Sequence, residues 1–244
     1  MNRTATIAAI LSTAVALGTT ACTTTTEDSS YAASLTAAVS APIVEEAWTE
    51  TPVRDIGRIG QWMIAADGKV ANWLGMTRDG KPFHEPINVI FVDAGARSGE
   101  DAKARLVDAM TKAGYPERTG HSAGYRGIID GQLYSQLPER KDHAFSTHPF
   151  PEDNNHGRIF GPAKTDAGWV FVGALSREDV DYKHAPPQHV YDSFNRARDD
   201  LAAALDGKGF YRRGETVPMN NADGPGAPFT TGDHDGNAVV VRAK

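Results

Sequence analysis

Asn88-Val89-Ile90-Phe91-Val92-Asp93 is the stretch on which the fold reading turns. An unbroken apolar run of this length, rich in β-branched side chains, reads as a buried strand. Ser98 follows, with Asp101 three residues on. A hydroxyl in that place caps the first free N–H groups of a helix, and the acid favours its positive end. Ala102, Leu106, Ala109, Met110 and Ala113 then share one helical face, and Gly114 stops the helix. Further along, residues 115–155 read as irregular. Arg158–Phe160 and Trp169–Leu175 read as two strands, joined through turns at Gly161-Pro162 and Asp166–Gly168. Pro187–Asp206 is expected to be a second helix, with Val190, Phe194, Ala197, Leu201 and Leu205 as its apolar stripe and Gly207 as its stop. Ala238–Arg242 is expected to be the last strand. Upstream, Asp67-Gly68 between Gln61–Ala65 and Lys69–Trp73 favours a tight hairpin. The order strand, helix, strand, strand, helix, strand predicts an α+β chain built as a two-layer α/β sandwich. A decorated ferredoxin-like arrangement is the nearest template. Residues 45–244 are expected to form one domain.

The N-terminus reads as an address. Residues 1–21 carry one charge, Arg3, then a short apolar middle and small residues, which is the pattern of a secretory signal peptide. Cys22, the one cysteine of the chain, follows directly and reads as a lipid attachment point. Residues 22–44 would then tether a domain exported and anchored to a bacterial membrane through Cys22. Thr19 stands where lipoproteins usually carry Leu, and the rival reading is ordinary cleavage that leaves a free thiol. In the 244-residue chain, 40% of residues are hydrophobic and 23% charged, as in a folded protein. With 25 basic and 31 acidic residues, net −6, no basic excess exists to neutralise a phosphate backbone, and a nucleic-acid partner is not expected. A single cysteine excludes a disulfide scaffold and a cysteine-built zinc site.

Motifs that carry chemistry are sparse. Gly120-His121-Ser122-Ala123-Gly124 fits the G-x-S-x-G nucleophile elbow, but Tyr115–Thr119 is too polar for the strand that should precede it, so a surface turn is expected. Asp233-His234-Asp235-Gly236-Asn237 starts like a calcium loop but lacks the closing Glu, and reads as a turn into the last strand. The eight His residues show no local metal spacing, so no metal and no cofactor are expected.

From about Pro86 onward the chain resembles the LssY C-terminal-like domain, a bacterial envelope family. The resemblance rests on Pro86–Asp93 with its helix and Ala113-Gly114-Tyr115. It continues through Arg140-Lys141-Asp142-His143-Ala144-Phe145, His156-Gly157-Arg158-Ile159-Phe160, Trp169–Gly173, the pair His189 and Arg198-Asp199, and Thr231–Gly236. Tyr191 and Asn195 depart from it, standing where acids are expected. The resemblance implies an envelope location and no established activity; some members join this domain to membrane phosphatase or transport-like segments.

Strand alternation puts His156 and Arg158 on one face, opposite Ile159. On the expected second helix, His189, Asp192, Arg196 and Asp199 share a polar face, with solvated side-chain pairing as the simplest reading. An ion pair of Arg158 with Asp142 or Asp199 is one expectation. The sharper one is that Arg140, His156, Arg158 and His189 converge on a cleft and bind an anionic group, phosphate or a lipid headgroup. The function expected is that of an exported lipoprotein with a non-catalytic binding or accessory role. The alternative is a hydrolase of phosphate or acyl esters, with His156 or His189 as general base or Ser122 as nucleophile.

Overall fold

The computed structural model describes residues 45–183, 187–209 and 211–244. The expected signal peptide, Cys22 and the tether lie outside the described residues. The first elements are a 3₁₀ turn (Glu45–Trp48), β1 (Glu50–Val53), β2 (Gly57–Gly60), β3 (Asn72–Arg78), β4 (Lys81–His84) and β5 (Val89–Asp93), then α1 (Gly99–Lys112). Next come β6 (Glu117–Thr119), β7 (Arg126–Ile129), β8 (Gln132–Leu137), β9 (His143–Ser146), β10 (Asn154–Thr165), β11 (Gly168–Asp181) and β12 (Gln188–Ser193). The last are α2 (Phe194–Gly207), β13 (Tyr211–Pro218) and β14 (Asn237–Ala243).

The expected two-layer α/β sandwich is wrong. Among the described residues strands take 48% and helices 15%, and the main sheet curls into a nearly closed barrel. Its order is β1-β2-β7-β8-β10-β11-β5-β14-β13, with β9 beside β10, β6 beside β9 and β12 beside β11. In a two-layer sandwich one face of the sheet meets solvent, and its strands alternate apolar and polar. Here all five residues of β5 are buried, because both faces are covered. Val89 and Phe91 pack with Ala102, Leu106, Ala109 and Met110 of α1 and with Ala197, Leu201 and Leu205 of α2. Ile90 and Val92 point the other way and meet Ile59 of β2, Ile129 of β7 and, from the segments flanking β2, Ile56 and Met63. The same split runs along β11, with Phe171 and Leu175 outward toward the helices and Val170, Val172 and Ala174 inward. Each such fully buried aliphatic or aromatic side chain stabilises the fold by about 1.5–3 kcal/mol.

Ser98 does cap α1, its hydroxyl accepting from the Asp101 N–H at 3.1 Å. The second helix is shorter than expected. Residues 188–193 form β12 on the edge of β11, with Val180 opposite His189, and Ser193 caps α2. Strand pairing overrides the helical stripe there, and Val190 is left exposed. The expected hairpin around Asp67-Gly68 is a short turn with one bridge, Ile64 to Val70. The stretch read as irregular holds β6–β9, short strands that complete the wall of the barrel. Asp233 and Asp235 serve the architecture. Asp233 accepts from Ser193 Oγ and the Phe194 N–H at the start of α2, and Asp235 pairs with Arg198 Nη1 at 2.7 Å.

Candidate functional site

β10 and β11 are longer than the core needs. Their register is unbroken from Asn154 opposite Glu178 to Phe160 opposite Val172. Side chains alternate, so on β10 the inward face that starts with Phe160 continues as Arg158, His156 and Asn154. On β11 the inward face of Val170, Val172 and Ala174 continues as Ser176 and Glu178. The barrel interior is therefore apolar along most of its length and polar at one mouth. His156, Arg158, Ser176 and Glu178 are as buried as the core, with exposures of 3%, 4%, 2% and 1%. Glu85, ahead of β5, and His121, in the loop after β6, close the group at 5% each.

All of these but Ser176 line a cleft of about 130 Å³ walled on its other sides by Trp73, Leu74, Ser122, Tyr125 and Phe150. Gly120 makes one wall possible. Its φ is +94°, and a Cβ there would sit 2.9 Å from Phe150 Cβ. Any larger residue would push the loop off Phe150.

Glu178 is the hub. Its Oε1 lies 2.5 Å from His156 Nε2, and its Oε2 lies 2.5 Å from His189 Nδ1. The His189 contact is off the line of a hydrogen bond, since neither atom has an aligned partner, and acts as a close charge contact. His156 Nε2 is also 3.0 Å from Ser176 Oγ. An ionised carboxylate accepts only, which puts the proton of neutral His156 on Nε2. His156 Nδ1 is then a bare, buried nitrogen without a protein partner, and His121 Nε2 is another. The two rings stack with centroids 4.9 Å apart, and Phe150 stacks on His189 at 4.1 Å.

Arg158 donates from Nε and Nη2 to the Ser122 carbonyl at 3.2 and 3.1 Å, and from Nη2 to Ser122 Oγ at 3.0 Å. Its guanidinium also covers the Tyr125 ring at 4.8 Å. Among the described residues no carboxylate forms an ion pair with Arg158, and its Nη1 has no acceptor. The pairing expected with Asp142 or Asp199 does not occur; Asp199 instead meets Arg198 and Arg213.

The electrostatics follow from burial and from these neighbours. Burial pushes the Glu85 carboxyl up, against the pull of Arg158 and His156. Burial would raise Glu178 as well, but the two imidazoles, His156 first, hold it far below the ordinary carboxylate range. Desolvation, helped by the charge of Arg158, pushes His121 down to about 3. Contact with Glu178 raises His189. Carboxyl groups moved in opposite directions within one cleft are a pattern that functional sites share with buried ion-pair networks.

Of the four residues expected to converge, His156 and Arg158 line the cleft and His189 reaches it through Glu178 and Phe150, whereas Arg140 is exposed in the turn after β8. His189 acts from a strand, so the helical stripe drawn through it does not exist. Ser122 has no elbow around it. β6 is three residues long, β7 follows instead of a helix, and no imidazole bonds to Ser122 Oγ among the described residues. Glu85, Glu178 and Tyr125 are absent from the sequence reading, and His121 enters it only inside the G-x-S-x-G match, without a role. Glu178 had a signal: if the strand at Trp169 runs past Leu175, Glu178 falls on the same face as Val172 and Ala174. Among the described residues no group of His, Cys, Asp and Glu is arranged to hold a metal. Comparison with family models, with curated proteins and with solved structures found no match.

Proposed function

We propose that the protein is an exported, LssY C-terminal-like envelope lipoprotein, anchored to the membrane through Cys22. Its barrel mouth binds an anionic group of the phosphate or lipid-headgroup type, in a binding or accessory role. The observation that carries this reading is Arg158. A buried guanidinium without a carboxylate is costly. A cleft that leaves Nη1 open beside it supplies the place where a ligand anion offsets that cost. An arginine fork suits phosphate and carboxylate oxygens. The flanking Leu74 and Phe150, 50% and 37% exposed, suit the apolar substituents of such an anion.

The test is calorimetric titration with inorganic phosphate and with vesicles of phosphatidylglycerol or phosphatidylcholine. Arg158→Ala is expected to weaken binding about 10-fold or more, the weight of a charged hydrogen bond, at unchanged circular dichroism. Equal affinity of wild type and variant contradicts the reading. Preference for phosphatidylglycerol over free phosphate assigns the ligand to the membrane. Mass spectrometry of the mature N-terminus tests the anchor, with an unmodified Cys22 as the contrary result.

A further inference from the structure

We propose that the barrel mouth hydrolyses phosphodiesters, with His156 Nδ1 as the base for the attacking water, Glu85 as the acid for the leaving oxygen and Arg158 as the clamp on a non-bridging oxygen. This rests on the anion-binding reading and goes beyond it. The argument begins with orientation. Glu178 fixes the His156 ring through Nε2, and His189 occupies the other oxygen of Glu178, so the carboxylate is held from both sides. A carboxylate behind one ring nitrogen leaves the other as a positioned proton acceptor and stabilises the imidazolium that forms. His156 Nδ1 is unpartnered on a residue that is 3% exposed and lines the cleft.

Glu85 lines the same cleft. Burial drives its carboxyl toward the protonated form, the state an acid catalyst needs. The charge count selects the substrate. Arg158 is the cleft cation without a carboxylate partner, and His121 is kept neutral by desolvation, so the site matches one negative charge. A phosphodiester carries one; a phosphomonoester carries nearly two at neutral pH. Trp73, Leu74, Tyr125 and Phe150 leave apolar walls for the two ester groups.

The step balances. Water gives a proton to His156 Nδ1 as its oxygen forms the new P–O bond. The P–O bond to the leaving group breaks, and that oxygen takes the Glu85 proton. Diester and water become monoester and alcohol. His156 then loses its proton to solvent and Glu85 regains one.

The experiment follows hydrolysis of bis(p-nitrophenyl) phosphate by the intact domain, with p-nitrophenyl phosphate and p-nitrophenyl acetate beside it. The diester is expected to turn over fastest. His156→Gln is expected to lower kcat about 100-fold or more with little change in KM; p-nitrophenolate leaves without a proton, so the matching loss in Glu85→Gln is expected on a dialkyl diester, glycerophosphocholine, followed by phosphorus NMR. Glu85→Gln keeps the volume of a protonated carboxyl and should fold normally, which keeps the test valid if His156→Gln does not. On the dialkyl diester the rate of the wild type should fall on the alkaline side as Glu85, raised by burial, loses its proton, and Glu85→Gln should remove that limb; His121, Glu178, His189 and Arg158 are the other charged or titratable groups of the site. Binding of dimethyl phosphate by calorimetry without turnover of any ester overturns this proposal and leaves the anion-binding reading standing. Absence of both binding and turnover overturns both. Turnover of the dialkyl diester undiminished in Glu85→Gln, or turnover confined to the acetate, overturns the proposal.

Discussion

The two ends of β10 and β11 are equally buried and opposite in chemistry. At one end Phe160, Val170, Val172 and Ala174 fill the barrel with carbon. At the other His156, Arg158, Ser176 and Glu178 occupy the continuation of the same face. Burial alone therefore does not distinguish a core from a site. Buried polar atoms without a protein partner occur in both, since Tyr211 Oη lies in the core packed by the helices; what sets the mouth apart is that its leftover atoms stand on residues that line a cleft. Asn88, buried beside the apolar end, donates to the Leu175 carbonyl at 2.9 Å and accepts from the Leu175 N–H at 3.1 Å. At the mouth, His156 Nδ1 and His121 Nε2 are left over. A native fold rarely leaves such atoms in place without use.

The largest effect that can break this contrast is at the apolar end. Phe171→Ala empties a fully buried position between the sheet and the helices and is expected to cost about 3–5 kcal/mol in denaturant unfolding. A cost near zero would mean that this face is not a packed core. Next is Glu178→Ala, which leaves two imidazoles without their carboxylate. About 3 kcal/mol is expected, and a smaller loss in the double replacement with His156 than the sum of the singles would show that the two act as one unit.

Acid is a gentler probe. His121 is pushed down to about 3 in the fold, against an ordinary value near 6.5. The unfolded chain therefore takes up that proton first, and stability falls as pH drops from about 6.5 toward 3. Glu178 adds loss of the same sign at lower pH, because its folded value is held below the ordinary 4.5. His189 has the opposite sign: its raised value gives stability that is complete below about 6.5 and is lost as pH rises through the folded value. Melting curves from pH 7 to 4 should show a slope that His121→Phe reduces; an unchanged slope would mean that His121 is hydrated. The smallest effect belongs to the rim. Arg242 and Glu215 pair at 2.8 Å with side chains 40% and 50% exposed, and Arg242→Ala should cost less than about 1 kcal/mol. A larger cost would blur the distinction between interior and surface.

The sequence made parts of this legible and not others. Asn88–Asp93, Trp169–Leu175 and Ala238–Arg242 are recognisable because their apolar runs are continuous, and Ser98 because its cap is local chemistry. The same continuity already argued for two covered faces, which a two-layer sandwich does not provide. β1, β2 and β6–β9 are short and polar or glycine-broken, and their identity comes from partners far away in the chain, which periodicity does not carry. Residues 188–193 have a helical pattern, and pairing to β11 overrides it. At the site, His156 and Arg158 could be placed on one face from alternation alone. Glu178 was hidden because the strand was ended early at Leu175. Glu85 was hidden because no local pattern marks it, and His121 because the G-x-S-x-G pattern around it points to Ser122; closure of the barrel brings both in.

The most direct measurement of the central claim, that the polar mouth is left open for a ligand anion, is a ¹⁵N spectrum of histidine-labelled protein titrated with dimethyl phosphate. The account predicts one imidazole, lost in His156→Gln, with a protonated Nε2 and a bare Nδ1 whose resonance moves in a saturable way as ligand is added, and does not move in Arg158→Ala. A His156 resonance that stays still through the titration, or moves equally without Arg158, contradicts it.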